Sequence, residues 1–155
     1  MHLQSRVFIR CTSAQVWSYL GDIHNVPAWD RGVKSVRRTS AGPDGVGLEF
    51  DTLAYPRGVA SEPEWGKMSY RVTAADPTGT CTVQLTSSSG NARFFKTAEW
   101  RWRVEEAPEG AWVICAANFK LRFPYVLLAP IFWGMKKAIR SDLEHLKQVL
   151  EEQRG

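Results

Sequence analysis

The chain has 155 residues, of which 44% are hydrophobic and 23% charged, and its formal net charge is +4. A chain of this length and composition has room for a substantial core, so we expect a single domain over residues 1–155. The small positive charge is compatible with an anionic partner, but it does not by itself indicate a nucleic-acid-binding protein.

The cysteines and the apolar runs indicate where the protein resides. Cys11, Cys81 and Cys115 are odd in number and form no CxxC pair, and each falls among inward-facing strand residues. This pattern favours free buried thiols and a reducing compartment, so we expect a cytoplasmic protein. The first residues lack the apolar stretch of a signal peptide. The longest apolar run, Phe123–Met135, is shorter than the about 20 residues of a membrane span, so no transmembrane helix is expected.

The chain begins with a strand and two short helices. Alternating apolar and polar residues predict a first strand over Leu3–Cys11. A capping box at Thr12–Gln15 then begins a short amphipathic helix. Asp22 can cap a second short helix, which ends near Ala28.

Six further strands follow, separated by short turns rich in glycine, proline and asparagine. They are predicted over Val33–Thr39, Leu48–Tyr55, Trp65–Ala74, Thr80–Ser87, Phe94–Glu105 and Ala111–Arg122. Because short turns join them, these strands should be antiparallel neighbours in one sheet.

The last element is an amphipathic helix, predicted over Pro130–Leu150. Its apolar residues recur at steps of three and four and form one stripe, which consists of Ile131, Met135, Ile139, Leu143, Leu146 and Leu150. Such a stripe needs an apolar surface of similar length, about 30 Å. The inner face of the sheet supplies it, which predicts an α+β fold.

The inner face of the predicted sheet carries large aromatic residues beside small ones. Trp100 and Trp102 share a face with Ala98, for example. A gap in such a surface suits an apolar ligand, and a fully packed core is the alternative. By the alternation of side chains along their strands, three polar residues should also face inward: Lys96, Tyr70 and Thr52.

No motif for catalysis, a metal or a cofactor is present. The sequence contains no HExxH or GxSxG motif and no cysteine beside a plausible base, so no catalytic residue can be assigned. Nucleic acid is excluded by parity, because Trp100 and Trp102 face away from Arg101 and Arg103. Base stacking and phosphate contact would then lie on opposite faces of the sheet.

Several short motifs stand in a fixed order along nearly the whole chain. They are Val7-x-Ile9, Ser13-Ala14-Gln15-Val16-Trp17, Asp22, Pro27-Ala28-Trp29, Val46-Gly47, Asp76-Pro77, Gly110-Ala111-Trp112-Val113 and the helix end Leu143–Leu150. In this order they resemble the SRPBCC superfamily, which includes polyketide cyclase/dehydrase-like proteins, START lipid-transfer domains and ubiquinone-binding chaperones. The resemblance implies a helix-grip fold: a seven-stranded antiparallel sheet around a long C-terminal helix, with two short helices between strands 1 and 2.

The resemblance also implies a hydrophobic cavity between the sheet and the C-terminal helix. The residues expected to bind a lipid, quinone or polyketide-like molecule there are Trp29, Phe50, Met68, Tyr70, Leu85, Trp100, Trp102, Phe119, Ile131, Met135 and Ile139. Ile131, Met135 and Ile139 should cover the cavity. No cofactor is expected.

Two other functions stay open at this point. One is a polyketide cyclase or dehydratase that uses a polar cavity residue, for which Lys96, Tyr70 and Thr52 are the candidates. The other is a peripheral membrane carrier that contacts lipid transiently through Leu127, Leu128, Phe132 and Trp133, beside Lys136 and Lys137. In the alternative interpretation, these apolar residues close the cavity or pack on the sheet.

Overall fold

A computed structural model of the chain describes residues 1–55 and 66–155. The elements are β1 (His2–Ile9), α1 (Ser13–Gly21), α2 (Val26–Trp29), β2 (Val33–Arg38), β3 (Glu49–Ala54), β4 (Lys67–Asp76), β5 (Thr80–Leu85), β6 (Phe95–Ala107), β7 (Gly110–Leu121), α3 (Ala129–Phe132) and α4 (Gly134–Arg154). Short 3-10 turns lie at Ile23–Asn25, Gly90–Phe94 and Tyr125–Leu128. Trp65, the predicted first residue of the fourth strand, lies outside the described residues.

The strands form one seven-stranded antiparallel sheet in the order β1-β7-β6-β5-β4-β3-β2. From β2 to β7 each strand pairs with the next in sequence, as short turns require. The first strand closes the other edge by pairing with β7, where Val7 lies opposite Val113. This arrangement confirms the predicted helix-grip fold.

The core lies between one face of this sheet and the helices. Its largest cluster joins residues of β1, β6 and β7 to α1, α2 and α4; the buried members are Val7, Ile9, Cys11, Val16, Trp29, Val104, Ala111, Val113, Cys115, Leu143, Leu146 and Leu150. Leu143 and Leu146 are almost fully buried. The second half of the C-terminal helix therefore fixes the helix to the sheet.

Hydrogen bonds at the end of α4 hold it to the end of β1. The backbone N–H of Arg10 donates to Glu151 Oε1 at 3.0 Å, and the Arg154 guanidinium donates to the carbonyl oxygen of Arg10. The Cys11 thiol lies 3.7 Å from the carbonyl oxygen of Leu150. All three cysteines are free thiols.

The C-terminal helix begins later than its apolar stripe predicts. The stretch from Pro130 forms the separate short helix α3, and α4 begins only at Gly134. The break carries i→i+3 hydrogen bonds, from Trp133 N to Pro130 O and from Lys136 N to Trp133 O, each 3.3 Å. It lets Phe132 turn inward onto Phe95 and leaves Ile131 at the surface.

The placement of Lys96 also differs from the prediction. A register shift between Phe95 and Thr97 marks a β-bulge in β6, and an extra residue in one strand reverses the alternation of faces. Phe95 is therefore buried and Lys96 is exposed. Lys96 is not a polar residue of the interior.

The outer face of the sheet carries opposite charges at neighbouring positions. Arg71 lies directly across from Glu49, and Arg37 lies across from Asp51 with a nitrogen-to-oxygen distance of 3.3 Å. Arg103 pairs with Glu105 along β6 at 2.9 Å. Most of these side chains are exposed, so this face is a solvated surface with weak ion pairs.

Candidate functional site

A cavity of about 530 Å³ lies between the sheet and the helices α1 and α2. Its floor comes from β3 to β6 and its cover from α1, α2 and the turn between them. The lining residues are Trp17, Leu20, Gly21, Ile23, Val26, Trp29, Asp30, Val33, Asp44, Gly45, Val46, Leu48, Phe50, Thr52, Tyr70, Val72, Ala75, Asp76, Pro77, Cys81, Val83, Trp100 and Trp102. Ligand cavities of this kind measure roughly 300–1,000 Å³, so this one can hold a drug-sized molecule.

Local hydrogen bonds in the first helical segment fix the cover. The Thr12 hydroxyl accepts the Gln15 N–H at 3.1 Å and the Gln15 side chain accepts the Thr12 N–H at 3.0 Å, which completes the predicted capping box. Asp22 accepts the N–H of His24 at 3.0 Å and begins the next turn. These caps set the directions in which Trp17 and the following apolar residues face the cavity.

A chain of aromatic rings forms the inner wall. Phe50 of β3 stacks on Tyr70 of β4 with ring centroids 5.4 Å apart, and Tyr70 meets Trp100 of β6 edge-on at 5.5 Å. On the cover side, Trp29 meets Trp102 edge-on at 5.3 Å. Rings in such arrangements form a stiff wall with flat apolar faces, which suits a planar or ring-containing ligand.

Tyr70 and Thr52 bring hydroxyl groups into this apolar wall. Thr52 lies across from Met68 in the β3–β4 pair, next to the Phe50–Tyr70 pair. Burial raises the pKa of Tyr70 far above its ordinary value, and the nearby Thr52 side chain opposes this shift only in part. The Tyr70 hydroxyl therefore stays protonated at neutral pH. Its oxygen lies 3.5 Å from the sulfur of Met68, a weak partner that a better acceptor can replace.

Asp30 is the least exposed of the three carboxylates that line the cavity, the others being Asp44 and Asp76. It ends α2, and its Oδ1 accepts the N–H of Gly32 at 2.8 Å. Burial raises the pKa of Asp30, while the N–H groups of Gly32 and Val33 lower it. The charge of Asp30 also contributes to the raised pKa of Tyr70, so the two groups are electrostatic neighbours.

Behind Asp30, the C-terminal helix contributes a second carboxylate and a histidine. Asp142 Oδ1 accepts the N–H of Arg31 at 3.4 Å, and His145 Nδ1 donates to the carbonyl oxygen of Trp29 at 3.0 Å. Burial, and then the charge of Asp30, raises the pKa of Asp142 to about 6. These contacts join α4 to the segment that carries Trp29 and Asp30.

Two turns contribute exposed residues to the cavity lining and so form its solvent-facing edge. Asp44, Gly45 and Val46 line the cavity on the β2–β3 side, and Asp76 and Pro77 line it on the β4–β5 side.

Arg38 organises the first of these turns. Its guanidinium binds Asp44 at 2.8 Å and donates to the backbone oxygens of Ser40, Gly42 and Pro43. The Arg38 side chain therefore holds this turn in place at the edge of the cavity.

The cavity contains part of the predicted set of binding residues. Trp29, Phe50, Tyr70, Trp100 and Trp102 line it, and so does Thr52. The others lie elsewhere: Met68, Leu85, Phe119, Met135 and Ile139 belong to a second apolar cluster around Phe95 and Ala98, and Ile131 is exposed.

The prediction that the C-terminal helix covers the cavity therefore has to be corrected. No residue of α4 lines it, whereas residues of α1 and α2 do. The C-terminal helix lies along β1, and Met135 and Ile139 in its first half pack against the second cluster instead of the cavity.

Sequence reasoning missed Asp30 and most of the cover. Asp30 follows Trp29 directly and precedes Gly32 by two residues, a spacing typical of an aspartate that accepts a backbone N–H in a turn. This signal predicts the turn, but not that the same carboxylate borders a cavity. Among residues 1–55 and 66–155, no group of three or more His, Cys, Asp or Glu side chains is placed to hold a metal ion. In the same residues, no helix is long and apolar enough to cross a membrane.

Comparison with known proteins agrees with this fold. The structure is similar to TTHA0849 from Thermus thermophilus (15% identity, all of both chains, TM-score 0.76). It is also similar to the ZhuI aromatase/cyclase from Streptomyces sp. R1128 (14% identity, 100% of this chain and 96% of that one, TM-score 0.78). A third similar structure is a point mutant of norcoclaurine synthase from Thalictrum flavum (10% identity, 100% and 96%, TM-score 0.73). The comparison with curated proteins finds no match.

These identities are low and show the fold alone. A family model adds more, because the one described as "Polyketide cyclase / dehydrase and lipid transport" matches residues 1–151. The family's fold supports binding of a hydrophobic small molecule or a cyclase role. The chain therefore belongs to the polyketide cyclase/dehydrase and lipid transport family.

Proposed function

We propose that this protein binds one small, largely apolar molecule in the cavity beneath α1 and α2. The observation that carries the proposal is a cavity of about 530 Å³ that is lined by aromatic rings and by polar groups, among them Tyr70, Thr52 and Asp30. The free thiols of all three cysteines support a cytoplasmic location.

The chemistry of the wall defines the class of ligand. The stacked rings of Phe50 and Tyr70 offer a flat apolar surface, which favours a ring system or a folded chain. The neutral Tyr70 hydroxyl can donate a hydrogen bond, and the Asp30 carboxylate can accept one. A ligand with a hydroxyl or carbonyl group on an apolar skeleton, such as a polyketide or a quinone, satisfies both.

A cavity-filling substitution tests this proposal. Val83 of β5 lines the cavity, whereas its neighbour Gln84 is exposed on the other face. We expect Val83→Phe to weaken binding of 2-naphthol at least tenfold in a fluorescence titration, and Gln84→Phe to leave it unchanged. Equal affinity of Val83→Phe and the wild type, or no binding of 2-naphthol and 2-methylnaphthalene to the wild type, contradicts the proposal.

A second function is favoured because Asp30 and Tyr70 line the same cavity and interact electrostatically. In a poly-β-ketone, the Asp30 carboxylate can take a proton from a carbon between two carbonyl groups. The resulting enolate carbon attacks a second carbonyl of the same chain and forms a carbon–carbon bond, and the new oxyanion takes a proton from the Tyr70 hydroxyl or from water. The raised pKa of Asp30 makes it a stronger base than an ordinary aspartate.

This second function predicts turnover. A synthetic poly-β-keto thioester incubated with the wild-type protein should cyclise faster than in buffer, with the product measured by liquid chromatography. Asp30→Asn should lose the acceleration and still bind 2-naphthol. If the rate equals that in buffer, the cyclase function is contradicted and only the binding function stands.

A further inference from the structure

The segment between β7 and α4 places a cluster of apolar side chains in water. Phe123 is 85% exposed, Leu127 77%, Ile131 71% and Trp133 68%. We define the apolar tip as these four residues together with the partly exposed Val126 and Leu128. Scattered exposed apolar residues are ordinary, but six within one short segment form a patch that monomeric proteins usually reserve for an interaction.

The tip is not a poorly packed piece of core. Tyr125 turns inward and meets Phe94 edge-on at 5.0 Å, and Phe132 packs on Phe95 at 5.7 Å and on Phe119 at 6.1 Å. Along the segment, the inward-packed Tyr125 and Phe132 lie between the exposed residues. Phe132, which the sequence places among the membrane-contacting residues, is partly buried here, and its inward packing holds the neighbouring exposed side chains in place.

The positive charge of the protein is concentrated around the tip. Residues 86–98 and 118–141 contain seven Lys and Arg residues and no Asp or Glu; the seven are Arg93, Lys96, Lys120, Arg122, Lys136, Lys137 and Arg140. Along the sequence, all 16 acidic residues lie outside these two ranges and outnumber the other 13 basic ones. The two ranges therefore carry seven positive charges and no acidic side chain.

Four of these cations have no ion-pair partner among the residues that the structure describes. Lys96, Lys120, Lys136 and Lys137 are exposed and form no ion pair with the residues that the structure describes. By contrast, Arg37, Lys67 and Arg71 on the outer face of β2, β4 and their neighbours each pair with Asp or Glu. These four lysines therefore contribute positive charge around the apolar tip.

We propose that this end of the molecule docks on an anionic lipid bilayer, with the apolar tip inserted at the headgroup boundary and the lysines on the lipid phosphates. Trp and Leu side chains flanked by lysines are the composition that suits this boundary. A protein partner fits less well, because lysine is depleted at protein–protein interfaces. The proposal does not depend on which molecule the cavity binds.

Vesicle sedimentation with two lipid compositions tests the proposal. The wild-type protein should sediment with vesicles of phosphatidylcholine containing about a third phosphatidylglycerol, and not with pure phosphatidylcholine. Raising the salt concentration should release it, because counterions screen exposed charges within about 10 Å at 0.1 M.

Two double variants and two matched controls locate the contact. Leu127→Asp with Trp133→Asp, and separately Lys136→Glu with Lys137→Glu, should each reduce sedimentation at least tenfold. The controls are Tyr55→Asp, an exposed aromatic residue outside the tip, and Arg101→Glu with Arg103→Glu, which makes the same charge change on the outer sheet face. Both controls should sediment like the wild type. Circular dichroism and urea unfolding confirm that each variant folds.

Three results would overturn the proposal. They are equal sedimentation with neutral and anionic vesicles, unchanged sedimentation of both tip variants, and a dimer in analytical ultracentrifugation that the Leu127→Asp, Trp133→Asp variant abolishes. The last would assign the tip to a second copy of the chain.

Discussion

Asp142 on the C-terminal helix and Asp30 at the end of α2 are two carboxylates at one junction behind the cavity. Burial, and then the charge of Asp30, raises the pKa of Asp142 to about 6 from an ordinary value of 3.8. The folded protein therefore binds the Asp142 proton more tightly than the unfolded chain does. Stability from this proton is complete below about pH 4 and is lost as the pH rises through about 6.

The first prediction is that Asp142→Asn stabilises the protein at pH 8 and has little effect at pH 4. The amide keeps an oxygen for the Arg31 N–H and carries no charge to bury. Because Asp142 is only half-buried, solvent screening reduces the gain to about 1 kcal/mol. Urea unfolding at both pH values measures it.

Glu144→Gln provides the control for this effect, since Glu144 is exposed on the same helix. The stability of the Glu144→Gln variant should differ from that of the wild type by the same amount at pH 4 and at pH 8. An Asp142→Asn variant that is destabilised at pH 8 would show that the charged carboxylate is needed at the junction.

The second prediction separates the hydroxyl of Tyr70 from its ring. Tyr70→Phe keeps the stack on Phe50 and removes the donor. Affinity for 2-naphthol should fall about fivefold, which corresponds to one hydrogen bond of about 1 kcal/mol, and affinity for 2-methylnaphthalene should not change. Titrations with both ligands measure the difference.

Tyr19→Phe is the matched control, because Tyr19 does not line the cavity. It should bind both ligands like the wild type. An equal loss of affinity for the two ligands in Tyr70→Phe would mean that the ring, and not the hydroxyl, was disturbed.

The sequence predicts the face of a regular strand better than it predicts the ends of elements. In β6, Trp100 and Trp102 turn inward as their alternation requires, because parity is fixed by the pleat itself. Lys96 lies in the same strand but beyond a bulge, and no residue pattern marks that extra position. In this strand, the alternation of side chains therefore predicts the wrong face for Lys96.

The site is less predictable, because it depends on how separate elements meet. The apolar stripe predicts that α4 packs on the sheet, but not that α1 and α2 cover the cavity. Which helix covers the cavity depends on how distant elements pack together, and no local pattern along the chain encodes that arrangement. Asp30 becomes a cavity residue for the same reason, although nothing in its neighbours along the chain distinguishes it from a turn residue.

The third prediction compares two positions of that predicted stripe. Leu146 is fully buried against the sheet, whereas Ile131 is exposed. Leu146→Ala should lower the free energy of unfolding by about 2–5 kcal/mol, because it removes buried methyl groups and leaves a cavity. Ile131→Ala should change it by less than about 0.5 kcal/mol. Urea unfolding of the two variants decides between the observed helix start and a continuous helix from Pro130, in which both substitutions would be costly.

The fourth prediction uses Cys81 as a reporter inside the cavity. Its half-buried thiol lines the wall, and burial raises its pKa, so its reaction with N-ethylmaleimide at neutral pH should be slower than that of glutathione. Cys115 should react more slowly still, because it is buried in the core and its pKa is raised to about 12, mainly by that burial.

A bound ligand should slow the Cys81 reaction further. Saturating 2-naphthol is expected to reduce the rate at Cys81 at least fivefold, measured by mass spectrometry of the labelled peptides, and to leave the rate at Cys11 unchanged, because Cys11 lies outside the cavity lining. In Val83→Phe, which weakens binding, the protection should disappear at the same ligand concentration. Equal protection of Cys11 and Cys81 would indicate a general stabilisation of the fold instead of occupancy of this cavity.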